Sequence, residues 1–509
     1  MRLLPFFGLA LPLAACVATQ PAEPLDDATR TLLIEAADRA AWGDLAGLVL
    51  EGEAALNGRT EALRLVVLPD GSYRREIAGP LGSIEVFDGT RAWRRDRSGL
   101  GRELSLGARE DAPLMVALRT GLWLEDPSLV VEVLEPDRLR VTRPGTPLDF
   151  QLLLDPTTKL PHQVHDRSAA GDSVATFSDW RDVAGVPFAF DLTIAGASGE
   201  TTSYLLDGGH ALDAARAAEP GLLAPPTEPP VGVHFDPDGP GEVEVFRARS
   251  GHLFVRPRLA GEDVGWFIFD SDAGAMVIDS TIAADLGLEE LGRVLAVGVG
   301  ASQTTRFVGA SSFGLGALSW DDVVLVELDL AFLGDLLGVP VAGIVGYELF
   351  GRAVLDLEAG PLPTSPGDLD GDGEPDPAPA LARGGRLGIH APGAFEAPAD
   401  AGFARLIFEG HSPCVEASFP TPDGPVTRWF RLDTGANGSV TFHAPAVVEH
   451  RLLANRDTRL AAFGGIGGRG SGYLAELEWF ELGGRRFEAI EATFATTEVG
   501  TFSDPYTAG

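Results

Sequence analysis

The feature that most constrains this chain is an internal repeat in its C-terminal half. The two copies are Trp266-Phe267-Ile268-Phe269-Asp270-Ser271-Asp272-Ala273 and Trp429-Phe430-Arg431-Leu432-Asp433-Thr434-Gly435-Ala436. In each copy an apolar run that opens with Trp leads into an Asp, and a hydroxyl-bearing residue follows that Asp. A glycine-rich stretch comes later in both, with Gly298 and Gly300 in the first and Gly465 and Gly467 in the second. One pattern present twice predicts two lobes built on the same plan.

Composition restricts the class of protein further. The chain has 509 residues, a length that suggests about three domains. Hydrophobic residues make up 45% and charged residues 22%, which is usual for folded globular proteins. The 63 glycines and 37 prolines favour a loop-rich β protein over helical bundles. The net charge of −35 argues against a nucleic-acid partner, because phosphate contacts need clustered positive charge. Two cysteines cannot form a disulfide framework of the kind that staples small domains.

The second copy of the repeat, with Asp433-Thr434-Gly435-Ala436, resembles the catalytic signature of aspartic proteases, and the retropepsin-like branch in particular. The resemblance implies that Asp433 is one of two carboxylates that hold the attacking water. It implies that Thr434 hydrogen-bonds across the interface to brace the loop. Gly435 would let another backbone approach closely, and Ala436 would fit a crowded place behind the loop.

This chemistry needs a second carboxylate, because two adjacent carboxylates share one proton and then act as base and acid. Asp270 in the first copy is the expected partner, and Ser271 offers the hydroxyl that Thr434 offers in the second. The glycine-rich stretches at Gly298, Gly300, Gly465 and Gly467 are then the expected flaps over the cleft. The first copy also continues to Gly343-Ile344-Val345-Gly346, which matches the apolar turn that the family places beside its catalytic loop.

Two departures from the family pattern carry consequences. Asp272 stands where the family has Gly, so it crowds the loop and adds a third carboxylate, which should raise the pKa of at least one acid or rearrange the loop. The second departure is that Gly509, the last residue, aligns with Gly343. The second copy then lacks counterparts of residues 344–357, and we expect an unpaired strand edge and an exposed core there.

The N-terminal half reads as many short antiparallel strands with one early helix near Asp26–Trp42, which predicts a curved sheet wrapped on a helix. Phrases such as Leu68-Pro69-Asp70-Gly71-Ser72-Tyr73-Arg74 and Asp155-Pro156-Thr157-Thr158-Lys159-Leu160-Pro161 resemble the LolA/LolB-like lipoprotein-carrier fold. The resemblance implies a concave face that can hold an acyl chain, or that packs against a partner domain.

The first residues carry a targeting pattern. A positive start at Met1-Arg2 and an apolar run over residues 3–13 are typical of a secretory signal peptide. The run ends in Leu13-Ala14-Ala15-Cys16, which resembles the bacterial lipobox and implies that Cys16 is diacylated and becomes the mature N-terminus. We therefore expect a lipid-anchored protein of the bacterial cell envelope, facing the periplasm or on the outer membrane, whose acyl chains make the membrane a partner.

The predicted divisions follow from these patterns. They are a signal peptide (1–16), a tether (17–27), a LolA-like half-barrel (28–207), a linker (208–242), a first lobe (243–358), a Pro/Gly/Asp-rich linker (359–401) and a second, C-terminally incomplete lobe (402–509). In the second linker, Asp368, Asp370, Asp372 and Asp376 match the start of a calcium loop, but Pro379 stands where that loop needs Glu. Weak calcium binding and a plain acidic linker remain the alternatives, and no other cofactor or metal is expected.

The sequence thus predicts a mainly β protein: a curved antiparallel sheet with a helix, followed by two pseudo-symmetric acid-protease β-barrel lobes. The expected activity is that of an aspartic endopeptidase, a hydrolase with a peptide or protein substrate and Asp270 and Asp433 as its catalytic pair. The alternative is a degenerate protease that binds peptides or lipids in the envelope without cleaving them, which Asp272 and the shortened second copy would explain.

Overall fold

A computed structural model describes residues 23–509 except 57, 169–170, 197–199, 298–301, 366–378, 400, 466–467 and 497–499. The signal peptide, Cys16 and the calcium candidates Asp368, Asp370, Asp372 and Asp376 lie outside these described residues. Within them the chain is mainly β and forms three sheets, so the predicted fold class is confirmed. In this described part, no helix combines the length and the apolar character needed to cross a bilayer.

The N-terminal region holds one long antiparallel sheet. Its strands are β1 (Glu23–Pro24), β2 (Leu48–Leu56), β3 (Arg59–Val67), β4 (Tyr73–Ile77), β5 (Ser83–Phe87), β6 (Ala92–Arg95), β7 (Gly101–Glu103), β8 (Val130–Glu135), β9 (Arg138–Thr142), β10 (Asp149–Leu154), β11 (Pro161–Ser168), β12 (Gly171–Val183), β13 (Val186–Ala195) and β14 (Thr201–Ala211). Among the described residues these fourteen strands run in the order β1-β8-β9-β10-β11-β12-β13-β14-β2-β3-β4-β5-β6-β7. Chain neighbours pair almost throughout, as expected of hairpins joined by short turns.

The helices of this region are α1 (Asp27–Ala36), α2 (Leu106–Thr120) and the short α3 (Ala214–Ala217). Asp26 caps α1 by accepting from the Thr29 amide at 2.8 Å. The sequence analysis identified only the early helix; α2, whose Leu114 and Leu118 pack into the sheet, is an addition. The sequence did not predict α2 because it contains Pro113, and proline removes a helical hydrogen-bond donor and normally ends a helix.

The second sheet belongs to the first lobe. Its strands are β15 (Val233–Phe235), β16 (Glu242–Ala248), β17 (Leu253–Val255), β18 (Arg258–Leu259), β19 (Glu262–Asp263), β20 (Trp266–Phe269), β21 (Met276–Asp279), β22 (Glu289–Val297), β23 (Ser302–Leu315), β24 (Leu318–Leu328), β25 (Val341–Val345), β26 (Val354–Glu358) and β27 (Leu381–His390). Its helices are α4 (Ser280–Asp285), α5 (Ala331–Leu337) and α6 (Tyr347–Phe350).

At the centre of this lobe β25 lies between β20, to which it is parallel, and β21, to which it is antiparallel. The fit is close at Gly343, where an added Cβ would lie 2.3 Å from the Phe267 ring and 2.4 Å from the Val277 carbonyl oxygen. Only glycine allows three strands to meet at this spacing, so Gly343 fixes the strand behind the Asp270 loop.

The third sheet belongs to the second lobe. Its strands are β28 (Leu406–Glu409), β29 (Ser412–Thr421), β30 (Gly424–Arg431), β31 (Val440–Phe442), β32 (Arg459–Gly465), β33 (Gly468–Leu482) and β34 (Arg485–Ala495), with helix α7 (Ala444–Glu449). Both lobes follow one plan. After the loop that carries the aspartate, a short strand pairs in parallel with a long one (β21 with β24, β31 with β34), and a short helix and a hairpin come next in the chain.

The last residues occupy the place of β25 in the second lobe. The Ala508 amide donates to the Trp429 carbonyl at 2.8 Å, and the Arg431 amide donates to the Gly509 carbonyl at 2.7 Å. On the other side the His443 amide donates to the Ala508 carbonyl at 2.8 Å. An added Cβ at Gly509 would meet the Phe430 ring and the Thr441 carbonyl, as one at Gly343 meets its neighbours. The expected open edge is therefore paired as far as Gly509.

Both predicted linkers contain regular structure. Strand β27, placed in the linker 359–401, is hydrogen-bonded to β16 and β26 and buries Leu387 and Ile389. In the linker 208–242, β14 continues to Ala211 and β15 pairs with β24. The prediction of irregular linkers does not hold for these strands. The glycines inside these strands do not end them: the ladder shifts register near Gly384 in β27 and at Gly208 in β14, and pairing resumes on the far side.

Candidate active site

The two aspartates follow strands that are anchored in the cores of their lobes. β20 ends immediately before Asp270, with Phe267 and Phe269 buried in the first lobe. β30 ends two residues before Asp433, with Phe430 buried in the second lobe. Because buried aromatic side chains hold both strands, the loops that carry the two carboxyl groups start from rigid positions.

The two loops exchange hydrogen bonds through their hydroxyl residues. The Ser271 hydroxyl accepts from the Thr434 amide at 3.1 Å and donates to the Leu432 carbonyl at 2.5 Å. The Thr434 hydroxyl accepts from the Ser271 amide at 3.0 Å and donates to the Phe269 carbonyl at 3.0 Å. Each hydroxyl thus binds the backbone of the opposite loop in the same way, which makes the junction twofold-symmetric and fixes one loop relative to the other.

Gly435 brings the two carboxyl groups together. An added Cβ at this residue would lie 2.3 Å from Asp270 Cγ, so no other residue type fits here without displacement. The carboxyl groups of Asp270 and Asp433 lie within hydrogen-bonding reach of each other. Asp270 Oδ1 also accepts from the amides of Asp272 and Ala273 at 3.0 and 2.9 Å, and Asp433 Oδ1 accepts from the Gly435 amide at 2.7 Å.

The pKa values of both aspartates are raised. Burial raises the pKa of Asp270 well above its usual value, and the negative charges of Asp433 and Asp272 raise it further. The pKa of Asp433 is also raised by loss of water around it, although amides donated to it and the nearby His252 oppose this. Asp433 keeps an exposed side while Asp270 is partly buried. The pair can therefore hold one proton between them, with Asp270 the acid that retains it more strongly.

Asp272, at the family's glycine position, faces charged side chains of the second lobe. Its Oδ2 lies 3.7 Å from Nη1 of Arg431, and Arg431 Nη2 lies 2.9 Å from Oδ2 of Asp504. Burial raises the pKa of Asp272 to about 6, which the Arg431 charge opposes and the Asp433 charge supports. The loop accommodates the extra side chain by pairing it across the lobes, and the predicted third acid lies beside the cleft.

Three residues near the aspartates escaped the sequence analysis: Arg431, Asp504 and His252. Arg431 belongs to the repeat itself, but an Arg within an apolar strand gave no sign of its partner. Asp504 is distant in sequence and reaches Arg431 only through the fold. His252 lies close enough for the Asp433 charge to affect its pKa, which burial lowers, and its Nδ1 is 2.7 Å from the Ser250 hydroxyl.

The remaining predicted site residues are placed as follows. Ala436 is exposed, so the expectation of a crowded place behind the loop is wrong. Gly465 ends β32 and pairs with Gly468 of β33, as expected of a hairpin. The flap residues Gly298, Gly300 and Gly467 lie outside the described residues. The strands on either side of Gly298 and Gly300 pair as the hairpin β22–β23.

Comparison with known proteins agrees with the site in the first lobe. Residues 255–349, which include Asp270, β25 and Tyr347, match the family model described as aspartyl protease. The resemblance to aspartyl proteases is thereby confirmed for this segment. No curated protein matches the chain.

Solved structures resemble separate parts of the chain. A LolA superfamily protein from Nitrosomonas europaea is 14% identical, with 36% of this chain and 94% of that one covered and a TM-score of 0.28. A DUF1329 family protein from Desulfovibrio piger is 11% identical over 39% and 99% of the two chains, with a TM-score of 0.28. A retropepsin-like aspartic protease from Rickettsia conorii is 14% identical over 22% and 79%, with a TM-score of 0.17.

Proposed function

We propose that the two lobes form an aspartic endopeptidase that hydrolyses peptide bonds with water activated by Asp270 and Asp433. The observation that carries this proposal is the reciprocal bonding of Ser271 and Thr434, which holds the carboxyl groups of Asp270 and Asp433 within hydrogen-bonding reach at the junction of the lobes. A junction that served only to join the lobes would not need two acids with raised pKa values side by side.

The proposed chemistry divides the work between the two acids. Asp270, whose pKa is raised more strongly by its surroundings, holds the shared proton and donates it to the substrate carbonyl oxygen. Asp433 is more exposed and takes a proton from the water that attacks the carbonyl carbon. The product is a tetrahedral gem-diol intermediate. As its C–N bond breaks, the proton now on Asp433 passes to the leaving nitrogen and Asp270 takes back a proton from a hydroxyl group, which restores the pair. The amides that donate to Asp270 and Asp433 hold both carboxyl groups in place throughout.

A cleavage assay of the full chain tests this function. Quenched fluorescent peptides of varied sequence are incubated with the wild type and with Asp433→Asn from acidic to neutral pH. We expect cleavage by the wild type and a loss of about 10²–10⁴-fold or more in the variant, because the substitution removes the base while keeping the shape. Asp423→Asn is the matched control, since Asp423 is an exposed acid of the same lobe, paired with Arg451.

The alternative function, binding of peptides or lipids without turnover, draws on Asp272 in the family's glycine position. Its signature is distinct: a folded wild type that binds extended peptides, releases no new N-termini at any pH, and is indifferent to Asp433→Asn. Retained cleavage by Asp433→Asn would instead reject the catalytic pair while leaving hydrolysis to other residues.

We further propose that Cys16 carries the lipid anchor that holds the protein in the bacterial envelope. The support is the sequence Leu13-Ala14-Ala15-Cys16 after an apolar run, which resembles the lipobox. Mass spectrometry of the mature N-terminus in a bacterial host tests it. A diacylated cysteine supports the anchor, whereas cleavage elsewhere or an unmodified cysteine refutes it.

A further inference from the structure

A hairpin tip of the N-terminal region, residues 96–100 between β6 and β7, lies against the segments that support both catalytic loops. Asp96 Oδ2 at this tip accepts from the Tyr347 hydroxyl of the first lobe at 2.5 Å and lies 3.1 Å from Nε2 of His411 in the second lobe. Arg102 of the hairpin donates to the same oxygen at 2.6 Å, and only 9% of the Asp96 side chain is exposed. A single buried carboxylate therefore contacts all three regions of the chain.

From Tyr347 the contacts lead to Asp270. The Tyr347 amide donates to the Ala273 carbonyl at 3.0 Å, and the Ala273 amide donates to Asp270 Oδ1 at 2.9 Å. Arg97, next to Asp96, donates directly to the Gly274 carbonyl at 3.1 Å. The hairpin tip therefore holds the loop of the first lobe immediately behind the residues that fix the Asp270 carboxyl group.

From His411 the contacts lead to Asp433. Pro413 lies two residues beyond His411, and its carbonyl accepts from the Leu432 amide at 2.7 Å. Leu432 directly precedes Asp433 in the chain. The Leu432 carbonyl in turn accepts from Ser271, which closes a ring of bonds that begins and ends at Asp96. Arg102 supports this side as well, because its Nε donates to the Gly410 carbonyl at 2.9 Å.

We propose that Asp96 is a positioning residue that sets the distance between the two catalytic loops, so that the N-terminal domain is a built-in part of the protease. This inference rests on the proposed function and deepens it, because it names the element on which assembly of the Asp270–Asp433 pair depends. The acid acts through Tyr347 and His411 and does not touch the substrate. Burial among five hydrogen-bonding groups keeps its carboxylate in one place, as a bridging element requires.

The chain offers a matched control for Asp96 in Asp126. Each Asp accepts from the amide and hydroxyl of a serine two residues later, through Oδ1, and from an arginine of the N-terminal region through Oδ2. Only Asp96 also reaches the two lobes. Substitution by Asn therefore disturbs the same local turn in both cases, and the difference between the variants reports on the bridge.

The test compares Asp96→Asn and Tyr347→Phe with Asp126→Asn in the full chain. Cleavage kinetics give kcat and KM, and hydrogen exchange by mass spectrometry follows peptides that contain the Ser271 and Thr434 amides. We expect both bridge variants to lower kcat by about three- to thirtyfold with KM little changed, and to speed exchange at both amides. Asp126→Asn should leave all of these at wild-type values.

The outcomes separate this inference from the proposed function. Wild-type values of kcat and exchange in both bridge variants overturn the positioning role, as does an equal effect of Asp126→Asn. If Asp96→Asn does not fold because Arg102 loses its partner, Tyr347→Phe, which removes one hydroxyl, decides the matter. If the wild type cleaves nothing, the proposed function fails, and exchange at Ser271 and Thr434 alone supports or rejects the bridge.

Discussion

Ser271 and Thr434 each place a hydroxyl between the amide and the carbonyl of the opposite loop, with three of the four bonds between 3.0 and 3.1 Å. In each loop one backbone amide and one backbone carbonyl form their hydrogen bonds with the hydroxyl of the other loop. The pairing of two carboxyl groups therefore depends on contact between the lobes, and each hydroxyl should affect both stability and activity.

Replacing Thr434 by Val tests this dependence. The variant keeps the shape but leaves the Ser271 amide and the Phe269 carbonyl without their partner, at a cost of about 1–3 kcal/mol in the free energy of unfolding. We also expect a lower kcat, because the loops that carry Asp270 and Asp433 are no longer held in a fixed position relative to each other. Urea unfolding and peptide cleavage measure the two effects.

Thr434→Ser is the control for that experiment, since it keeps the hydroxyl and removes only the methyl group. Thr434→Ser should keep most of the wild-type free energy of unfolding and most of the wild-type kcat. Equal stability and kcat in Thr434→Val and the wild type would show that the junction is held by other contacts.

Gly435→Ala should abolish cleavage by forcing the loops apart. The new Cβ would lie 2.3 Å from Asp270 Cγ, and its nearest neighbours are the carboxyl atoms that the chemistry uses. Either the carboxyl group or the loop must move, so we expect a severe loss of kcat together with lower stability.

Gly438→Ala, three residues along the same segment, gives the comparison, because an added Cβ there meets nothing within 4 Å. It should cleave at the wild-type rate. A Gly435→Ala variant as active as Gly438→Ala would mean that the two carboxyl groups need not approach so closely.

What the sequence could predict at this site was local. Asp433, Thr434 and Gly435 follow a strand within one short segment, and the chemistry of paired acids demanded a second copy, which Asp270 and Ser271 supply. The regular alternation and turn residues of the N-terminal half likewise predicted its antiparallel sheet. These features depend on neighbours in sequence or on repetition, both of which are visible without a structure.

The rest depends on contacts between distant residues. Asp96 sits in an ordinary turn, like Asp126, and nothing in its surroundings indicates Tyr347, which is 251 residues away. The ion-pair partner of Asp272 could not be predicted either, because Arg431 appeared in the sequence only as a charged residue within an apolar strand. Charged groups that pair across domains leave no periodic signal in either segment.

Asp272→Asn should move the alkaline limit of activity to lower pH. The negative charge of Asp272 is one of the causes that raise the pKa of Asp270. Without it Asp270 loses its proton at lower pH, and the enzyme loses its acid sooner as pH rises. The pH profile of kcat/KM measures the shift.

Asp279→Asn is a suitable comparison for that profile, because Asp279 caps α4 in the same lobe, away from the pair. Its profile should keep the wild-type limits. An unchanged alkaline limit in Asp272→Asn would show that Asp272 does not influence the proton held by Asp270.

Glu409→Gln should stabilise the protein at neutral and higher pH. Burial raises the pKa of Glu409 from 4.5 to about 8, and Asp504 and Asp111 add to this while Arg431 opposes it. The folded state therefore binds more protons than the unfolded state between these values, so the wild type loses stability as pH rises through this window. Glutamine mimics the protonated acid at every pH. The variant should match the wild type in acid and exceed it by a few kcal/mol above about pH 8.

Urea unfolding across this pH range measures the difference, with Glu416→Gln as the control, since Glu416 is an exposed acid on the neighbouring strand β29. The free energy of unfolding of the control should follow that of the wild type at every pH. If the free energy of unfolding of Glu409→Gln also follows that of the wild type at every pH, Glu409 ionises in the folded protein as it does in the unfolded chain. Burial and the nearby acids Asp504 and Asp111 would then not raise its pKa.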